Sequence, residues 1–78
     1  MMTTRGRPHA SLTHRQRQIL HLVSLGLSDV EIAARMAVSP ETVATHLSNA
    51  YGRLGARNRA HAVRLCYERR ILLVADQR

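Results

Sequence analysis

The sequence predicts an all-α domain of four helices. Three observations carry that expectation: capping signals at four helix starts, apolar residues recurring every three or four positions, and glycines where the repeats stop. The chain has 78 residues, enough for one domain with a small core. A chain this short hides roughly 60% of the surface it exposes when unfolded, so marginal stability without a partner is expected.

The first helix begins after Thr13, with Gln16 three residues later in the capping-box position. Ile19, Leu20 and Val23 form its inward face with Leu22 on the flank, and Gly26 ends it. Ser28 and Glu31 repeat the capping pattern. Leu27 and Ile32 take the staple positions, and Asp29 and Glu31 favour the positive end of a short helix from about Asp29 to Met36. Its buried stripe is Ile32, Ala33 and Met36.

Ala37, Val38 and Ser39 form a tight connection. Ser39 caps a third helix from about Pro40 to Leu54, with the proline at the first position, where a missing N–H costs nothing. Val43, Leu47, Ala50, Tyr51 and Leu54 give it one inward face, and Gly55 stops it. Asn58 caps a fourth helix that buries Ala62, Val63 and Cys66 and ends near Arg69 or Arg70. The apolar run Ile71 to Val74 either folds back on the core or meets a second copy. Helices joined as tightly as the second and third cannot lie antiparallel; they should cross steeply, as in a helix-turn-helix. A plain protein-binding bundle is the alternative.

The net charge is +7 and every basic residue apart from histidine is arginine. The absence of lysine fits a GC-rich genome, but the uneven distribution is a separate matter. Arg5, Arg7, Arg15 and Arg17 precede residue 28 with no acid among them, whereas Asp29, Glu31 and Glu41 cluster around Arg35. Beyond them, Arg53, Arg57, Arg59, Arg64, Arg69 and Arg70 face Glu68 alone. A basic second half beside an acidic turn fits a surface that meets a polyanion, with a generally basic surface as the other reading.

One cysteine, Cys66, precludes an internal disulfide and sits on an apolar helical face. The five histidines have no spacing that builds a metal cage with it, and the acids form no catalytic pair, so neither an enzyme nor a metal or cofactor site is expected. No apolar run approaches the roughly 20 residues of a membrane span, and residues 1–11 lack a secretory pattern. A cytoplasmic protein is expected, with residues 1–11 as a flexible basic arm, 12–72 as the folded domain and 73–78 as a tail. Arg5 and Arg7 suit either a groove or phosphate contact or a solubilising tail.

Leu12-Thr13-His14-Arg15-Gln16, Ile19-Leu20, Gly26, Ser28 and Glu31-Ile32-Ala33 form the first part of a spaced signature. Val38-Ser39-Pro40-Glu41-Thr42-Val43, His46, Arg53-Leu54-Gly55, Arg57-Asn58-Arg59 and Ala62-Val63 complete it. It resembles the LuxR/NarL-type helix-turn-helix DNA-binding domain, in the stand-alone, GerE-like form, and covers roughly Ser11 to Leu72. The resemblance implies a four-helix fold with the third helix in the major groove of double-stranded DNA. It also implies homodimers formed largely through the fourth helix, paired half-sites, and transcription regulation, with RNA polymerase as a further partner. Members usually carry a receiver or ligand-binding domain ahead of this module, so sensing within these residues is not expected. The chain departs from the pattern at Gln16 for glutamate, Ala44 for a groove-facing lysine, and Arg70 for a frequent glycine.

With Val43, Leu47, Ala50 and Tyr51 inward, the opposite face of the third helix presents Ala44, Thr45, Ser48 and Asn49, the expected base-reading residues. Thr45 offers a methyl or a hydroxyl, and Asn49 can pair with adenine; an ordinary solvated face is the bland alternative. Ser28, Thr42, His46, Arg53, Arg57 and Arg59 are the expected phosphate contacts. Capping alone also explains Ser28, and His46 equally suits a half-buried hydrogen-bonding role. Leu65, Tyr67 and the run from Ile71 to Val74 lie beyond what one inward stripe needs. The expected dimer interface is therefore Leu65, Tyr67, Arg69, Ile71 and Leu72. Two rivals to a dimeric regulator stay open: an antagonist that pairs with a family member through the fourth helix, and a domain excised from a longer regulator.

Overall fold

The computed structural model describes residues 12–71. It contains helices α1 (His14–Ser24), α2 (Asp29–Met36), α3 (Pro40–Leu54) and α4 (Arg59–Glu68), and no strand among the described residues. Leu72, the arm with Arg5 and Arg7, and the tail lie outside the described residues.

Each helix starts on a side-chain cap. Thr13, Ser28, Ser39 and Asn58 all have extended backbone and accept the N–H three residues on. In α1 and α2 the box is reciprocal: Gln16 Oε1 accepts the Thr13 N–H at 3.0 Å and Glu31 Oε1 the Ser28 N–H at 2.8 Å. Gln16 in place of an acid thus keeps the geometry, and its side chain is buried against the core.

The helix ends share a second device. One residue takes a left-handed conformation, at Gly26, Ala37, Gly55 and Arg70. The next residue sends its N–H back to the carbonyl five positions earlier: Leu27 to Leu22 at 3.3 Å, Val38 to Ala33 at 3.0 Å, Ala56 to Tyr51 at 2.9 Å and Ile71 to Cys66 at 2.9 Å. This is the Schellman closure, which satisfies carbonyls a helix end would leave open. Leu27, Val38, Ala56 and Ile71 also pack against the core, so each stop doubles as a hydrophobic anchor.

The core is one cluster. α1 contributes Ile19, Leu20, Leu22 and Val23, α2 Ile32 and Ala33, α3 Val43, Leu47, Ala50 and Leu54, and α4 Ala62, Leu65 and Cys66. α3 packs against all three other helices. Burial pushes the Cys66 thiol up from its ordinary value, against the opposing pull of Arg69.

Four residues, Leu22, Met36, Val63 and Leu65, sit differently from expectation. Leu22 is fully buried rather than flanking, and Met36 only half-buried. On α4 the inward stripe is Ala62, Leu65 and Cys66, with Val63 at its edge. Leu65 therefore belongs to the core of the single chain, because residues 62, 65 and 66 follow the i, i+3, i+4 rule on one face. Ile71 folds back against the core, one of the two places expected for the run it opens, and is half-buried.

A left-handed conformation costs a non-glycine residue roughly 1–2 kcal/mol, partly offset by the greater freedom glycine loses on folding. Ala37→Gly and Arg70→Gly should each stabilise the domain by about 0.5–1 kcal/mol, raising the thermal midpoint by roughly 2–8 °C. Thermal unfolding followed by circular dichroism checks this; a lowered midpoint at both positions would contradict the strain assigned to them.

Candidate nucleic-acid interface

α3 has two sides of opposite character. Val43, Leu47, Ala50 and Leu54 are buried, whereas Ala44, Thr45, Ser48 and Asn49 are all exposed. The steps 44, 45, 48, 49 repeat the helical period, so the four make one continuous stripe, which exposed Gly52 extends. All have short side chains. A surface beneath them can approach the helix backbone closely, as base edges must to meet a helix in a major groove about 12 Å wide.

The expected phosphate contacts fall into two groups. Arg53 and Arg57 are exposed, one on the last turn of α3 and one in the turn that follows. His46 is half-buried on α3. Ser28, Thr42 and Arg59 hold hydrogen bonds within the fold. The Ser28 hydroxyl accepts the Glu31 N–H at 3.2 Å. Ser39 Oγ accepts the Thr42 N–H at 3.1 Å and lies 3.0 Å from the Thr42 hydroxyl.

Arg59 is the most committed. Its Nη1 donates to Asp29 Oδ1 at 2.8 Å and its Nη2 to the Leu27 carbonyl at 2.9 Å. It thereby ties the start of α4 to the start of α2. Tyr51 lies in the same neighbourhood: burial raises its phenol above the ordinary value, while the Arg59 charge pulls it down. A guanidinium has five donors, so Arg59 retains capacity for another acceptor.

The expected dimer residues are also dispersed. Tyr67 is 73% exposed, Leu65 is buried, and Arg69 Nη1 donates to the Leu54 carbonyl at 3.0 Å, closing the end of α3. Sequence reasoning does not single out Leu25 and Val30, which are exposed apolar side chains. It also passes over His61, whose Nδ1 accepts the Arg57 N–H at 2.9 Å. A signal for His61 does exist: it stands three residues after the Asn58 cap, where Gln16 and Glu31 stand in α1 and α2.

Residues 10–66 match the family model described as bacterial regulatory proteins, luxR family. The chain belongs to the luxR family. Its four helices and the α2–turn–α3 pair are that family's all-α helix-turn-helix fold, and the match covers the whole exposed stripe of α3. Similar proteins include one of Mycobacterium bovis named as an HTH-type transcriptional regulator, 49% identical over 53 residues. Another is the CsgBAC operon transcriptional regulatory protein of Escherichia coli, 43% identical over 54 residues. A third, of Mycobacterium tuberculosis, is named as the transcriptional regulatory protein NarL and is 39% identical over 61 residues. These alignments cover 68%, 69% and 78% of this chain, but 6%, 25% and 28% of the relatives. This luxR-family chain therefore spans a small part of the length of the proteins it matches. No helix among its described residues is long and apolar enough to cross a membrane.

Within this luxR-family domain the Arg59 clamp sets how α4 sits on the helix-turn-helix pair. Both partners of its ion pair are more than a third exposed, so water screens the charge term, and the hydrogen bond to the Leu27 carbonyl carries much of the effect. Arg59→Ala should cost about 1–2 kcal/mol of stability in urea unfolding. Arg59→Lys should recover part of it, since an ammonium keeps the charge but loses the planar fork. Unchanged stability in the alanine variant would show that the clamp does not brace the fold.

Proposed function

We propose that this chain is a sequence-specific double-stranded DNA-binding module of a bacterial transcriptional regulator, with α3 in the major groove. The observation that carries the reading is the exposed stripe Ala44, Thr45, Ser48 and Asn49, set on a helix whose other face is locked in the core. Membership of the luxR family and the names of its relatives support it. Thr45 and Asn49 supply base contacts, with Ser48 between them. Arg53 and Arg57 supply phosphate contacts at the C-terminal end of α3, and the Ser39–Thr42 cap places backbone donors at its other end.

Two copies bind paired half-sites in this reading, matching two-fold symmetry to a palindromic site. Their contact uses the outer side of α4, where Tyr67 is exposed; Leu65 drops out because the core claims it. The function is binding in the cytoplasm, with contact to RNA polymerase as the means of acting on transcription and no catalytic step.

Thr45→Ala and Asn49→Ala should each weaken binding to a duplex selected from a random pool by about 1–3 kcal/mol, and change binding to scrambled duplex little. Ala44→Lys should raise affinity for both duplexes through one added charge per subunit. Titrations at two salt concentrations, with circular dichroism to confirm folding, provide the measurement. An unchanged ratio of specific to scrambled affinity in both alanine variants would show that this face does not read bases. A pairing antagonist of another family member would then be the better reading.

Arg53→Ala should lower affinity for both duplexes equally. It should also shallow the plot of log affinity against log salt by roughly one unit for each phosphate no longer neutralised. The same titrations report it. A weakening confined to the selected duplex would make Arg53 a base contact instead.

A further inference from the structure

The turn from Gly55 to Asn58 is fastened by α4. Asn58 Oδ1 accepts the His61 N–H at 2.9 Å, and His61 Nδ1 accepts the Arg57 N–H at 2.9 Å. This is a capping box with a shifted return bond. In α1 and α2 the third residue of the helix reaches back to the cap's own N–H, through Gln16 and Glu31. In α4 the third residue is a histidine, and its ring reaches one position further, to the residue before the cap.

That residue is Arg57, which stands exposed immediately beyond α3. Its backbone lies outside both helices, so neither ladder accepts its N–H. The imidazole supplies the acceptor, which fixes the ring as the tautomer protonated on Nε2. We propose that His61 is a positioning residue for DNA binding: it holds the backbone of Arg57 so that the guanidinium leaves the turn already directed along the α3 surface. The proposal rests on the DNA-binding reading and deepens it. A backbone ordered before docking has less freedom to lose when the side chain meets a phosphate, and the interaction is stronger for it.

The test is a double-mutant cycle on the selected duplex, with His61→Ala, Arg57→Ala and both together, plus His61→Gln. Arg57→Ala should weaken binding roughly tenfold, the scale of one charge-assisted hydrogen bond, and shallow the salt plot by about one unit for each phosphate no longer neutralised. His61→Ala should weaken binding several-fold, and the double variant should be no worse than Arg57→Ala alone. His61→Gln, which by the pattern of Gln16 would reach the N–H of the Asn58 cap and leave the Arg57 N–H without its acceptor, should recover little of that affinity. Alanine suits the helical position 61 and Arg57 is exposed outside both helices, so the variants should stay folded, which circular dichroism checks. Hydrogen exchange of the Arg57 amide gives a second readout without DNA: slow in the parent chain, fast in His61→Ala and His61→Gln.

Fully additive effects in the cycle would overturn the proposal. So would an Arg57 amide that exchanges equally fast in the parent chain and His61→Ala. If Arg57→Ala binds normally while Thr45→Ala and Asn49→Ala do not, the DNA-binding reading stands and the positioning role falls. A parent chain that enriches no duplex and binds none sinks the reading and the proposal together.

Discussion

Helix α3 can turn only one side outward, because three neighbouring helices take the other. Val43, Leu47, Ala50 and Leu54 fill the space between α1, α2 and α4. Rotating α3 by one residue, about 100°, would drag these side chains into water and push Ala44, Thr45 or Ser48 into the core. The burial of one stripe therefore fixes the exposure of the other. Everything assigned to the outer stripe depends on that coupling, and the helix ends serve it by fixing where α3 starts and stops. Ser39 and Pro40 set its entrance, Gly55 its exit, and Arg69 meets the Leu54 carbonyl at its last turn.

Much of this is legible in the sequence because it is local. Four caps lie within three residues of the groups they satisfy, so Thr13, Ser28, Ser39 and Asn58 announce themselves, and α2 and α3 have the expected bounds. Gly26 and Gly55 mark two left-handed stops. Ala37 and Arg70 occupy the same conformation at the other two without the glycine that would have signalled it. In the sequence, Arg70 stands out only as a departure from a family glycine. Its positive φ gives that departure a physical meaning: the backbone there keeps the shape while the side chain bears the cost.

The assignments that need tertiary knowledge fare differently. Val63 and Leu65 lie on opposite edges of the α4 stripe, so a small rotation of the inward face exchanges their places, which a short helix with weak amphipathicity does not resolve. Arg59 reads as a phosphate ligand because it stands in a basic segment. Its two acceptors, Asp29 and the Leu27 carbonyl, lie 30 and 32 positions away in sequence and become neighbours only when α4 docks. The outer stripe of α3 needs no such knowledge, since periodicity alone separates it from the core. Arg59 and Arg69 thus brace the fold, and Arg53 and Arg57 are exposed close to the outer stripe.

The exposed stripe of α3 is the surface proposed to meet base edges. Backbone amide shifts during titration with a selected duplex test it most directly, because they report proximity residue by residue without altering the protein. The largest changes are expected at Ala44, Thr45, Ser48 and Asn49, with secondary changes at Arg53 and Arg57. Changes concentrated on α1 or on the outer side of α4, with α3 left undisturbed, would contradict it.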